Sequence, residues 1–176
     1  MIEVNKTELD GVLLIKPDFF QDYRGQYVEL YNEELYASKD IKIKFVEDDI
    51  STGRRGVLKG IHGDPVTWKL ISCLRGEFYL VVINYDEESR DFGRWQSFLL
   101  SEANRYQILV PPKHGNGHLC LSEKTIFHYK QSSYYDPKRQ FTIKWNDERF
   151  NISWPLTDPI LSVRDTVGYW SENVQK

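Results

Sequence analysis

Short apolar runs separated by turn residues recur along the chain, at lengths that suit strands better than helices. They are VLLIK from Val12, QYVELY from Gln26, IKIKFV from Ile41, VLKGIH from Val57, KLISCL from Lys69 and EFYLVVIN from Glu77. WQSFLL from Trp95, YQILV from Tyr106, GHLCL from Gly117, TIFHYK from Thr125 and FTIKW from Phe141 continue the series. Close turns such as Asp22 to Gly25 and Arg75-Gly76 punctuate them. Only Asn32–Ser38 and Asp158–Val163 can form short helices. So many strands with tight turns predict an antiparallel jelly roll or sandwich rather than an α/β fold.

Composition narrows the class without changing that picture. No linker, repeat or low-complexity tract interrupts the 176 residues, so the expectation is one domain over 1–176. A domain of that length buries roughly 70% of its unfolded surface, enough for a core without staples. The formal charge of −3 leaves no broad basic surface, which argues against nucleic acid and anionic membranes as partners. Cys73 and Cys120 have no metal-ligand or CxxC spacing and read as buried thiols in a reducing compartment. The opening MIEVNKTELDGVLLIKPD has too short an apolar run for a signal sequence or a span, so a cytoplasmic location is expected.

Residues two apart on a strand share a face. Leu58, Gly60, His62 and Asp64 therefore point together, as do Asn116, His118 and Cys120, while Phe127 and Tyr129 oppose His128. The centre of the chain also resembles the two-part pattern of cupins, a double-sheet jelly-roll family. Gly56, His62, Asp64, Lys69 and Gly76 occupy the first part, and Pro111, Lys113 and Asn116 the second. Asp64, Lys69 and Asn116 stand where metal ligands are usual. An ammonium is the wrong charge for a divalent ion, so no metal is expected. In the cupin register His62, Lys69, Asn116, His118 and Tyr129 project into one cavity. Each polar group left unpaired there would cost on the order of 1–3 kcal/mol, so the cluster reads as a ligand site.

From about Asp22 to Asp165 the likeness becomes narrower. The segments DYRGQYVEL, GVLKGIH, KLISCLRGEF, FGRWQSFLLSEANRYQILVP, HYKQSSYYDP, IKWNDERFNISWP and ILSVRD resemble, in order, the dTDP-4-dehydrorhamnose 3,5-epimerase family. The resemblance implies an all-β, cupin-type antiparallel jelly roll with a few short peripheral helices. It also implies a cofactor-independent epimerisation at C3, C5 or both of a nucleotide-activated 4-keto sugar. On this likeness His62 is the catalytic base, Asp165 the carboxylate that orients it, Tyr129 the proton donor on the opposite face and Lys69 the group beside the carbonyl. Arg24, Glu29 and Lys59 match contacts to the nucleotide, and Tyr134 an aromatic stacking near it. A homodimer paired through N-terminal strands is implied as well.

Departures from the family pattern fall among these positions. His62-Gly63-Asp64 replaces HYQ, and His114-Gly115-Asn116-Gly117-His118 replaces FAHGF, which moves an imidazole by two residues. Glu47-Asp48-Asp49 replaces Gln-Asp-Asn, so Glu47 and Asp49 join Asn116 and His118 as expected substrate contacts. These changes are similar to the branch acting on GDP-linked 4-keto heptoses. Two other readings use the same residues: a metal-dependent cupin oxygenase or isomerase with His62, Asp64 and His118 as its facial set, and a sugar-nucleotide binding module without catalysis.

Overall fold

The computed structural model describes residues 1–168. Its strands are β1 (Glu3–Lys6), β2 (Leu13–Lys16), β3 (Phe19–Asp22), β4 (Gly25–Val28), β5 (Glu47–Gly53), β6 (Leu58–Gly63) and β7 (Lys69–Arg75). β8 (Glu77–Asn84), β9 (Trp95–Ser101), β10 (Gln107–Val110), β11 (His114–Cys120), β12 (Thr125–Gln131) and β13 (Phe141–Thr142) follow. Two short helices, α1 (Glu33–Ala37) and α2 (Val163–Val167), lie at the periphery. One sheet has the order β1-β2-β10-β7-β12-β5 and the other β13-β6-β11-β8-β9, while β3 and β4 form a separate hairpin. All pairs of named strands are antiparallel, giving the expected all-β jelly-roll architecture. Among the described residues no helix is long and apolar enough to cross a membrane.

The sheets enclose a core in which Ile71, Ile108, Val110 and Phe127 meet Phe78, Leu80, Val82 and Leu100. Each sheet is also covered outside. Tyr36 of α1 and Ile41 pack with Ile15, Leu70 and Leu109 on one side, and Ile143 and Phe150 with Ile61, Val81 and Ile83 on the other. Strands apolar on both faces read as continuous hydrophobic runs, which is why EFYLVVIN coincides with β8.

That second covering layer explains the main departure from expectation. IKIKFV at 41–46 is not a strand: Ile41, Ile43 and Phe45 lie against the outside of the six-stranded sheet as extended cover. The strand is the polar EDDISTG that follows, β5, an edge strand with one side toward solvent. The ladder of QYVELY ends at Val28, and that of FTIKW at Thr142. The helix expected at 158–163 forms later, as α2, because Ile160 is held extended by a parallel bridge to Val57. α1 matches its expected position, with Asn32 accepting a hydrogen bond from the Leu35 amide as N-cap. Cys73 and Cys120 are free and buried.

Candidate active site

β6 and β11 approach closely where the cavity begins. Gly60 adopts φ +111, and a Cβ there would lie 2.6 Å from Gly117 Cα and 2.7 Å from the Asn116 carbonyl oxygen. Only glycine fits both the dihedral and the gap. Beside it, His62 pairs in register with Asn116 on one side and Thr142 on the other. The inward residues of both sheets then line a cavity of about 640 Å³.

His62 and Asp165 meet in this cavity although they are far apart in sequence. The Leu58 amide donates to the Ile160 carbonyl (3.0 Å) and the Ile160 amide to the Gly56 carbonyl (2.8 Å), which ties the C-terminal segment to the start of β6. Ser162 then caps α2: its Oγ accepts from the Asp165 amide (3.2 Å) and donates to Asp165 Oδ2 (2.9 Å). The other carboxylate oxygen, Oδ1, lies 2.6 Å from His62 Nε2. A carboxylate only accepts, so Nε2 carries the proton and Nδ1 is the bare nitrogen. Burial pushes the His62 pKa below its ordinary value, with Asp165 opposing that shift and Arg164 and Lys69 adding to it.

On the facing sheet, burial and the Asp49 and Glu47 carboxylates push the Tyr129 phenol up to about 12. Lys69 is 8% exposed, and burial pulls its ammonium down to about 8, against the attraction of Asp64. Its Nζ donates to Asn116 Oδ1 (3.2 Å), which leaves the Asn116 amide nitrogen free to donate. Gln131 Nε2 donates to Glu47 (2.6 Å) and Asp49 (3.0 Å). Lys59 Nζ reaches from β6 to Ser51 Oγ (2.6 Å) and the Thr52 carbonyl (2.9 Å) on β5.

Of the residues expected at the site, His62, Lys69, Tyr129, Asp165, Lys59, Glu47, Asp49, Asn116 and His118 line the cavity. Four others do not. Arg24 sits in the β3–β4 turn, largely exposed and paired with Asp22 (2.6 Å). Glu29 borders a separate shallow hollow with Phe19, Phe20 and Tyr27. Tyr134 is 71% exposed, and its neighbour Tyr135 faces the cavity instead. Asp64 leaves the face of His62 because β6 ends at Gly63; its Oδ1 accepts from the Val66 and Thr67 amides (2.9 and 2.8 Å) and its Oδ2 from Gln140 (3.2 Å). The facial metal set of His62, Asp64 and His118 therefore does not assemble, and among the described residues no group of three or more His, Cys, Asp or Glu side chains is placed to hold a metal.

Arg164 was not expected at the site. Its Nε donates to Thr142 Oγ1 (2.9 Å), while Nη2 is buried with no partner among the described residues, in a side chain that lines the cavity. The readable signal was Ser162 followed three residues later by Asp165, a helix-start pattern that brings the intervening Arg164 with it.

The sequence model of the dTDP-4-dehydrorhamnose 3,5-epimerase family matches residues 6–171. Curated relatives of that description include one from Methanothermobacter thermautotrophicus, 34% identical over 91% of this chain and 89% of the relative. Another, from Salmonella typhimurium, is 36% identical over 94% and 93%. Among solved structures, dTDP-6-deoxy-D-glucose-3,5-epimerase from Legionella pneumophila, in complex with dTDP-4-keto-L-rhamnose, superposes with a TM-score of 0.91. It has 31% identity and covers 96% of this chain and 92% of its own.

Proposed function

The chain belongs to the dTDP-4-dehydrorhamnose 3,5-epimerase family, and from that premise we propose a two-sided proton transfer across its cavity as the mechanism by which it epimerises a nucleotide-linked 4-keto sugar. One observation carries this reading. The His62–Asp165 pair stands on the five-stranded sheet side, and Tyr129 projects from the six-stranded sheet into the same cavity. Inverting a carbon needs a base on one face and an acid on the other.

The C4 ketone acidifies the hydrogens on C3 and C5 and serves as the electron sink, so the scheme uses no cofactor. His62 Nδ1 takes the proton, and the C–H electron pair moves into the enolate with its charge on O4. Lys69 Nζ and the Asn116 amide donate to that oxygen; a preorganised donor of this kind is worth about 3–4 kcal/mol. Asp165 holds the tautomer and stabilises the imidazolium. Tyr129, held neutral by its raised pKa, gives its proton to the same carbon from the other side. Solvent then restores both groups.

Lys59 and the unpartnered guanidinium nitrogen of Arg164 supply the cations for the diphosphate. Glu47, Asp49 and Tyr135 also belong to the substrate-facing wall. Arg24 and Glu29 fit the scheme as contacts made to a second copy's site, since they lie on and beside a hairpin with Phe20, Tyr23 and Tyr27 exposed. This is the homodimer of the reading. The setting is cytoplasmic, with an enzyme that oxidises C4 supplying the 4-keto sugar and a reductase consuming the product.

Incubation in heavy water with dTDP-, UDP-, CDP- and GDP-linked 4-keto sugars tests the function. Deuterium appearing at C3, C5 or both is the expected outcome. Binding without any exchange would instead support a silent binding module.

Two of the perturbed groups, His62 and Lys69, set the pH dependence near neutrality. The base must be neutral, so the rate rises as pH climbs through the His62 value, which burial places below 6.5. The O4 donor must be charged, so the rate falls as pH passes about 8 and Lys69 loses its proton. A bell-shaped pH–kcat profile is expected; one that stays level from about pH 7 to about pH 10 would remove Lys69 from its role.

A further inference from the structure

His118 has no task in this proton transfer, yet it lines the same cavity at 4% exposure. Its ring stacks flat on Phe127, with centroids 4.1 Å apart and planes 8° from parallel, and Phe78 packs at 5.3 Å. The orientation is thereby fixed. Neither ring nitrogen has a hydrogen-bond partner among the described residues. Burial, with Lys59 and His62 adding to it, pulls the ring down to about 3, so it is a neutral imidazole carrying one donor and one acceptor. The family pattern has phenylalanine at this position, which would fill the same stack without a polar edge.

Strand register separates His118 from the enolate donors. Lys69 lies in one row with Gln131 and Glu47, whereas Phe127 lies in another with Ser51, and His118 pairs with Lys59. Asn116 and His118 are two residues apart on one strand, about 7 Å along it. An O4 held by Lys69 and Asn116 therefore lies one residue pair along the strand from the row of His118. A different part of the sugar must face the imidazole.

We propose that His118 is a specificity-determining residue that reads a hydroxyl of the sugar through its unpartnered ring edge, so that this chain prefers a 4-keto sugar bearing a hydroxyl where phenylalanine would face an apolar group. A hydroxyl is both donor and acceptor and matches either ring nitrogen. An apolar group in its place leaves a buried polar edge unpaired, and sites built to bond a hydroxyl reject analogues lacking it far more strongly than apolar pockets reject an added one. The inference rests on the proposed sugar-nucleotide function. Two hydroxyls could be the one read, that on C2 of the ring or one on the carbon attached to C5.

The test compares three 4-keto sugar nucleotides that share one nucleotide: one with both hydroxyls, one lacking only the C6 hydroxyl and one lacking only the C2 hydroxyl. kcat/KM for deuterium exchange is measured for the native enzyme, His118→Phe and His118→Gln. In the native enzyme one deoxy sugar is expected to fall at least about tenfold below the parent, and its identity names the hydroxyl. His118→Phe keeps the stack and should shrink that difference to about twofold, while His118→Gln keeps a donor and an acceptor and should retain the preference. Should His118→Phe fail to fold, a His118→Gln variant that lost the preference while folded would count against the proposal. Equal use of all three sugars by the native enzyme, or a preference unchanged in His118→Phe, would overturn it. If none of the three exchanges deuterium, the proposed function fails, and calorimetric binding of the same sugars decides the role of His118 separately.

Discussion

Replacing His62 with asparagine abolishes both solvent exchange and inversion, with a fall in kcat of at least about 10²-fold, the lower end of what a placed general base contributes. Asparagine keeps a donor that can face Asp165, so the carboxylate, whose side chain is 3% exposed, is not left unpaired and the fold survives. What disappears is the bare Nδ1. Deuterium incorporation at C3 and C5, followed by NMR beside a circular dichroism check of folding, reads the result directly. Exchange at the native rate in a folded His62→Asn protein would mean that another group is the base.

Tyr129→Phe divides the reaction where His62→Asn stops it. Only the hydroxyl is lost, and the ring remains packed beside Phe127 (5.4 Å between centroids). The enolate still forms, because His62 and Lys69 are intact. With no proton donor on the far face, the imidazolium returns a proton to the face it came from after exchanging with solvent. Epimer formation should therefore drop by about 10²-fold or more while deuterium still enters the unepimerised sugar. A variant that inverted at the native rate would place the second proton donor elsewhere, and one that lost exchange and inversion equally would show Tyr129 acting before the enolate.

Much of this arrangement could be read from residue order, for physical reasons that differ from place to place. β7 and β8 coincide closely with apolar runs because they are interior strands covered on both faces. β5 was hidden because an edge strand whose inner side lines a polar cavity carries no hydrophobic signal; Ile41–Val46 carried one while only covering a sheet. Alternation placed Asn116 and His118 correctly on one face, since β11 runs unbroken past both. The same rule misplaced Asp64, because Gly63 ends β6 and Pro65 turns the chain away. Arg164 and Tyr135 lie one residue from positions that were singled out. Outside regular strands a one-residue step changes which side chain faces the ligand, and no periodicity reports it.

The bonds from Lys59 to Ser51 and Thr52 and from Lys69 to Asn116 join the two sheets across the cavity. A sugar nucleotide held by His62 and Lys59 on one side and Tyr129 and Lys69 on the other spans the same seam, and so fastens the two halves of the sandwich together. Occupancy should therefore register as resistance to heat. At a hundredfold excess over Kd a ligand of the native state adds ~2.7 kcal/mol, and for a domain of this size each kcal/mol raises Tm by about 2–4 °C. Melting curves over a panel of nucleotides and nucleotide sugars would rank the ligands of this cavity without any turnover, including those that bind and never react.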